Sequence, residues 1–259
     1  MSLLFYPVAG AIFGLIIGSF LATVLVRWPA GESALGGRSR CDQCQSSLSA
    51  RELIPVVSYI LQSGKCRACR HKIAPEHPAM ELTAAMIGAL AFAQAPGVEG
   101  LLGALLGWQL LLLAALDVKH QWLPDRLTYL LIISGLLGGL LAGSPLMADR
   151  AIGAVTGFAV FWVVRLLYFR AREQEGLGQG DAKLLAGIGA WLGWMALPMV
   201  VLLACIIGLA GVFLSRLRGQ AVAADTALPF GSYLAVAAFP LWLITTEIPV
   251  SALAEIFTL

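Results

Sequence analysis

The amino-acid sequence predicts an all-α polytopic membrane protein with about eight transmembrane helices and a small cytoplasmic zinc-binding insert. Two properties of the composition indicate this class: the mean hydropathy is +0.85, and only 12% of the 259 residues are charged. Soluble domains usually carry about 25% charged residues. A helix that crosses the hydrocarbon core of a membrane needs about 20 apolar residues, and stretches of this kind follow one another along almost the whole chain.

Eight apolar segments are predicted to span the membrane. The first basic residue of the chain, Arg27, comes after the first segment. A secretory signal has its basic residues ahead of a shorter apolar run, so the first segment is predicted to be a retained helix with its N-terminus outside. The eight segments are 3–26, 79–96, 99–117, 126–143, 151–169, 182–196, 197–214 and 230–247. The predicted domains are a first helix (1–26), an insert (27–78) and a helical core (79–259).

The distribution of basic residues predicts the orientation in the membrane. Cytoplasmic loops of membrane proteins carry an excess of Lys and Arg. With the N-terminus outside, every Lys and Arg except Arg150 lies in or beside a cytoplasmic loop, and the insert alone holds eight of the 17. This topology places Asp117, Asp125 and Asp181 at the cytoplasmic face.

The insert contains two Cys-x-x-Cys pairs, Cys41 with Cys44 and Cys66 with Cys69. Paired cysteines at such a spacing are typical of tetrahedral zinc sites, and the reducing cytoplasm disfavours disulfides. Four unliganded cysteines are the alternative. Four protein ligands leave no open position on zinc, so the ion is predicted to be structural.

Two acids adjoin long apolar runs: Asp117 closes one and Asp181 opens another. Carboxylates beside hydrocarbon are costly and usually functional. Two carboxylates held close together share a proton, which is the arrangement of aspartic-type peptide hydrolysis. Helix dipoles predict that Asp181, near a helix N-terminus and Lys183, is charged, and that Asp117, near a helix C-terminus, holds the proton. Asp125 is interpreted as a helix cap.

Gly178 and Gly180 precede Asp181 in the stretch GLGQGDAK, and together with Lys183 they form the predicted supporting loop of this site. Glycine lacks a side chain, so the two positions are predicted to admit another backbone closely. A plain flexible loop is the alternative interpretation.

These motifs together resemble the family of type IV prepilin peptidases and methyltransferases, over about residues 14–238. The resemblance rests on GSFLATVLVRWP at 18–29, the two cysteine pairs, IPVVSYI at 54–60, HPAMELTAA at 77–85, DVKHQWLPDRLT at 117–128, GLGQGDAKLLAGIGAWLGW at 176–194 and LPFGSYLA at 228–235. It implies that Asp117 and Asp181 are catalytic and that prepilins or pseudopilins are the substrates, cut at the cytoplasmic face of the bacterial inner membrane. It also implies N-methylation of the new N-terminus with S-adenosylmethionine, and products that assemble into type IV pili or type II secretion pseudopili.

The chain departs from the family pattern at three places. Ala22 stands where asparagine is usual, and Glu76-His77-Pro78 stands where the family usually reads Arg-Tyr-Pro. Both lie in the region that the family associates with methylation, so a peptidase without methylation is the alternative. The third departure is Ser232 in place of proline, far from both acids in the sequence.

Three other functions fit part of the pattern. A transporter or proton channel would use intramembrane acids, but would place them near mid-span. A secretion scaffold would use the zinc insert and leave the acid pair unexplained. A presenilin-type intramembrane protease also uses a Gly-x-Gly-Asp motif but would not account for the cysteine insert. No nucleic-acid partner is expected, and the sequence does not define the oligomeric state.

Overall fold

The computed structural model describes residues 2–34, 36, 38–41, 43–174, 176–219 and 228–246. Over these residues the secondary structure is helical, with two isolated bridges and no extended strand, which confirms the predicted all-α class. The α-helices are α1 (Ser2–Arg27), α2 (Val57–Leu61), α3 (Glu76–Gln94), α4 (Val98–His120), α5 (Asp125–Gly138), α6 (Met147–Arg172), α7 (Gln179–Leu192), α8 (Leu197–Leu217) and α9 (Phe230–Thr245). Short 3-10 turns cover Ala50–Leu53 and Trp194–Ala196.

The prediction of eight membrane crossings is not confirmed, although a helix of 14 or more residues lies at each predicted position. Within the described part of the chain, four helices are long and apolar enough to cross a membrane: Leu4–Arg27, Val98–His120, Met147–Arg172 and Trp194–Leu217. α5 and α7 have 14 residues each. At 1.5 Å per residue such a helix extends about 21 Å, short of the roughly 30 Å hydrocarbon core. α3 carries Glu76, His77 and Glu81 in its first two turns, which lowers its mean hydropathy.

The chain folds into two compact units, Met1–Leu112 and Leu113–Leu259. In the first unit α1 packs along α3. Small residues let two helix backbones approach closely inside a membrane protein, and α1 has glycine at every fourth position from Gly10 to Gly18. A Cβ built on Gly14 would collide with the carbonyl oxygen of Ala84 on α3. A larger side chain at Gly14 would therefore force α1 away from α3.

The second unit is built around α7. From Asp181 to Leu192 every residue of this helix except Lys183 is buried, because α5, α6 and α9 pack against it. The indole N–H of Trp191 donates to the carbonyl oxygen of Leu131 on α5 at 3.0 Å. The first turn of this central helix carries Asp181, so the fold positions that acid firmly.

Arg150, on α6, is buried at the other end of α7. Its guanidinium donates to the carbonyl oxygens of Gly135 on α5 and Ala190 on α7, at 3.0 and 3.2 Å. It also donates to Ser144 and Pro145 in the preceding loop. Carbonyls near helix C-termini carry partial negative charge, so Arg150 joins three helices through carbonyl oxygens. This role accounts for the one basic residue outside the predicted cytoplasmic loops.

Candidate active site

Two acids that the sequence singled out lie buried in the second unit. Asp117 lies in the last turn of α4 and Asp181 in the first turn of α7, and only 6% and 8% of their surfaces are exposed. A buried carboxylate is costly unless it is hydrogen-bonded or protonated. The hydrogen-bond partners of the two side chains therefore decide whether each carboxyl group is charged or protonated.

The backbone of Gly231, in the first turn of α9, lies against both acids. A Cβ built on Gly231 would lie 2.9 Å from Oδ1 of Asp181 and 3.1 Å from Oδ2 of Asp117. These two oxygens are consequently at most 6.0 Å apart, the sum of the two distances. Leu123 closes the same spot, with its Cδ1 2.7 Å from that Cβ position. Only glycine fits here, and its bare backbone brings two acids from distant parts of the sequence together.

Asp117 is held by Ser232, the residue that follows Gly231. The backbone N–H of Ser232 donates to Oδ2 of Asp117 at 2.7 Å, and the Ser232 hydroxyl donates to the same oxygen at 2.9 Å. This N–H, in the first turn of α9, also donates to the carbonyl oxygen of Pro229 at 3.1 Å, so Asp117 shares it. Ser232 is not among the site residues predicted from the sequence. Its only signal was the departure from proline within LPFGSYLA.

Asp181 has a less polar environment than Asp117. Its pKa is raised from 3.8 to about 7, because the side chain is buried and because Asp117 lies near it. The backbone of Gly178 hydrogen-bonds the carboxylate and opposes this shift. At neutral pH a large fraction of Asp181 therefore carries a proton.

Gly178 and Gly180 lie beside Asp181, but the groups they accommodate are not the expected ones. A Cβ built on Gly178 would lie 3.1 Å from Oδ2 of Asp181 itself, and one on Gly180 would lie 2.7 Å from Cβ of Leu123. The close approach involves these side chains rather than another backbone. Lys183 also differs from the expectation: its ammonium donates to Oδ1 of Asp125 at 2.6 Å.

The four cysteines of the insert come together in the first unit. Their sulfur atoms all lie within 4.8 Å of one another, and the sulfurs of Cys41 and Cys69 are 3.9 Å apart. A hydrogen bond from the Ser46 hydroxyl, together with one from the Ser46 backbone, lowers the pKa of the Cys44 thiol to about 6. Thiolates are the form that binds metal, so the cluster could hold an ion.

The two cysteine turns repeat the same local structure 25 residues apart. An isolated bridge flanks each turn, Arg40 with Ser47 in the first and Lys65 with Lys72 in the second. The residue after each second cysteine, Gln45 or Arg70, has a positive φ of 58° or 61°. The N–H of that residue donates to the carbonyl oxygen of the first cysteine of its turn. Each turn therefore presents two sulfurs in the same way.

Two protein-family models match successive parts of the chain. The N-terminal domain of bacterial A24 peptidases matches residues 12–95, and the type IV leader peptidase family matches residues 104–213. A protein of Aeromonas hydrophila is 36% identical over 252 residues, covering 87% of this chain and 86% of its own. One of Pseudomonas putida is 35% identical over 262 residues (90% and 88%), and one of Klebsiella pneumoniae is 41% identical over 202 residues (74% and 87%). All three are named prepilin leader peptidase/N-methyltransferase.

The chain belongs to the type IV leader peptidase family. The resemblance seen in the sequence is confirmed. No solved structure shows a significant match.

A cleft of about 160 Å³ lies beside the cysteine cluster in the first unit of this leader peptidase family member. Its walls include Arg27, Tyr59, His77 and Glu81, together with Cys41 and Cys66. Glu81 is buried and accepts a hydrogen bond from the backbone N–H of Val56 at 2.7 Å. Val56 has φ 60°, ψ −47°, a strained backbone for a β-branched residue. Strain of this kind concentrates at functional sites, so the cleft is a second candidate site.

Proposed function

We propose that this protein is a membrane aspartic endopeptidase that removes the basic leader from prepilins or pseudopilins. It would act at the cytoplasmic face of a bacterial inner membrane. The observation that carries the proposal is the position of two buried acids, Asp117 and Asp181, which both lie against Gly231. The substrate class is supported by the names of the relatives that match most of the chain.

The spacing of the acids suits the activation of one water molecule. A hydrogen bond between oxygens is at most about 3.0 Å long, so a water between the two acids can bridge a gap of up to about 6 Å. In the proposed first step, ionised Asp117 takes a proton from this water, whose oxygen bonds to the scissile carbonyl carbon. Protonated Asp181 donates its proton to the carbonyl oxygen at the same time.

The second step returns both acids to their starting states. Asp117 gives its new proton to the peptide nitrogen as the C–N bond breaks. Asp181 takes a proton from one hydroxyl of the tetrahedral carbon, which becomes the carboxyl group at the C-terminus of the leader. The other product begins with a new amino group. This sequence needs neither a metal nor a covalent enzyme intermediate.

The cysteine cluster is proposed to hold a structural Zn²⁺. Zinc–sulfur bonds of about 2.3 Å in a tetrahedron place the sulfurs about 3.8 Å apart, which fits the 3.9 Å between Cys41 and Cys69. Cys44 and Cys66 would complete the set. The described part of the insert contains little regular structure, so bound metal would contribute directly to its folding free energy.

Methyl transfer to the new amino group is the second proposed activity, with S-adenosylmethionine as the donor. When bound, the donor supplies an electrophilic methyl group. The first-unit cleft is the proposed site of the donor, because its lining holds groups of both signs. The buried Glu81 carboxylate would face the sulfonium of the donor, and the basic side chains Arg27 and Arg40 would face its carboxylate. Of the positions that depart from the family, His77 lines the cleft, whereas Ala22 is buried outside its lining.

The direct test is an assay with the purified full-length protein in detergent. The substrate is a prepilin-like peptide with a basic leader and an apolar helix, and isotope-labelled S-adenosylmethionine is present. We expect cleavage after the leader and label on the mature product. If a relative such as the Aeromonas hydrophila protein cuts the peptide and this protein does not, the peptidase proposal is wrong.

Two matched variants separate the two activities. Asp117→Asn should abolish cleavage and leave donor binding, measured by calorimetry, unchanged. Glu81→Gln should keep cleavage and lose donor binding and label transfer. Cleavage without label on the product in the wild-type protein would leave the alternative function, a peptidase without methylation.

A further inference from the structure

Ser232 donates two hydrogen bonds to the side chain of Asp117, and both reach the same carboxylate oxygen. Just 3% of the Ser232 surface is exposed, so bulk water does not compete well for these donors. Hydrogen bonds to a carboxylate favour its charged form. Asp117 also lies at the N-terminus of α9, where the helix dipole favours negative charge.

The Ser232 hydroxyl has a second acceptor within reach. Its oxygen lies 3.1 Å from the carbonyl oxygen of Ala114, one turn before Asp117 on α4. A hydroxyl has a single proton to donate, so it can serve Asp117 or Ala114 at any moment, but not both. It can therefore donate to Asp117 while that side chain is charged and turn to Ala114 once Asp117 has accepted a proton.

We propose that Ser232 is a positioning residue that holds Asp117 charged between turnovers, which makes Asp117 the base and Asp181 the proton-bearing acid. This inference rests on the proposed peptidase function and assigns its two roles. It reverses the assignment expected from the sequence. The dipole of α4 alone favours a neutral Asp117, but the start of α9 lies against the same side chain.

Other charged groups also lie near the pair. Asp181, on α7, faces Asp117 and opposes its charge. Lys183, on the same helix, is paired with Asp125 of α5. On α4 itself Lys119 and His120 follow Asp117 and are exposed.

The helix that supplies the donors carries no charge near Asp117. The described residues of α9 include no Asp, Glu, Lys, Arg or His, and its Tyr233 points to Gly208 and Gly211 on α8. The two donors of Ser232 are thus the groups on α9 that can stabilise the charge of Asp117.

The test compares the pH dependence of kcat/KM for the wild type, Ser232→Ala and Ser232→Pro. Alanine removes the hydroxyl, and proline removes both donors. Proline is tolerated in the first turn of a helix, and Ser232 lies in the first turn of α9. Loss of a hydrogen bond to a charged group is expected to move its titration by about one pH unit or more. We expect the acid limb to move up by about one pH unit in Ser232→Ala and further in Ser232→Pro.

A lower rate with an unmoved acid limb in both variants would overturn the inference, because a merely structural serine changes the rate alone. An alkaline limb that moves in place of the acid limb would also overturn it. An infrared pH titration keeps this result separate from the peptidase proposal, since it needs no substrate. The carboxylate band that Asp117→Asn removes should disappear at higher pH in Ser232→Ala than in the wild type. An unchanged titration of that band would refute the role of Ser232 whether or not the protein cleaves prepilins.

Discussion

Replacing Gly231 with alanine perturbs the proposed catalytic pair by a single methyl group. Gly231 has a helical backbone that alanine adopts without strain, so the effect comes from contact alone. The new Cβ would lie 2.7 Å from Cδ1 of Leu123, 2.9 Å from Oδ1 of Asp181 and 3.1 Å from Oδ2 of Asp117. Comfortable carbon contacts begin at about 3.5 Å. Leu123 must therefore retreat by about 0.8 Å, and the two carboxylates must each move by a few tenths of an ångström away from the new methyl group.

The expected result is a large loss of cleavage in a protein that still folds. A misplacement of about 1 Å at a reacting group can cost 100-fold in rate, so we expect kcat/KM to fall about 10- to 100-fold. Overpacking of this size costs about 1–3 kcal/mol of stability. The assay is cleavage of the prepilin-like peptide, with thermal unfolding followed by tryptophan fluorescence as the measure of folding.

Gly211→Ala is the matched control for this variant. Gly211 lies on α8 in the same unit, and a Cβ there would meet only the Tyr233 hydroxyl, at an ordinary 3.7 Å. We expect wild-type cleavage from this control. If Gly231→Ala cleaves within twofold of Gly211→Ala, the spacing of Asp117 and Asp181 does not matter, and the reasoning from their geometry is refuted.

Three further predictions concern the pH profile, the cysteine cluster and the buried arginine. Cleavage should fall above about pH 7, because Asp181, whose pKa is raised to about 7, then loses the proton that it donates; a rate that is flat to pH 9 would contradict this. Cys66→Ser should lower the bound zinc measured by mass spectrometry from one equivalent to near zero, while Cys205→Ser, outside the cluster, should keep it. A structural ion would be contradicted if the wild-type protein unfolded at the same temperature with and without zinc. Arg150→Met removes the hydrogen bonds that the guanidinium donates to the carbonyl oxygens of Gly135 and Ala190 and should cost about 2 kcal/mol or more. The exposed Arg172→Met should leave the unfolding temperature unchanged, and equal unfolding temperatures for the two variants would refute the role of Arg150 in joining the helices.

The sequence predicted the class of fold and the pairing of the acids for local reasons. Hydropathy identified the apolar helices. Asp117 stood out because it closes one apolar run, and Asp181 because it opens another. The number of crossings was harder to predict, because a 14-residue helix buried among its neighbours has the same apolar composition as a membrane span. α7 is such a helix, and its burial is known only from packing.

The residues around the acids could not be predicted, because their contacts cross large distances in the sequence. Gly231 and Ser232 are more than 100 positions after Asp117, and only the packing of α9 brings them to it. The same packing puts a helix N-terminus against an acid that local reasoning placed at a helix C-terminus. Lys183 shows the converse: it is two positions after Asp181 in the sequence, yet it pairs with Asp125 on another helix.

The most direct test of the central claim is peptide cleavage by Asp117→Asn, Asp181→Asn and Asp125→Asn beside the wild type. Asparagine keeps the size of the side chain but can neither accept nor donate the proton in the proposed steps. Asp125 is the matched control, because it is an exposed acid near the same helix ends and is paired with Lys183. We expect cleavage to be lost in the first two variants and kept in the third. If Asp117→Asn and Asp181→Asn still cut, the two acids are structural or transport groups, and the peptidase mechanism proposed for them is wrong.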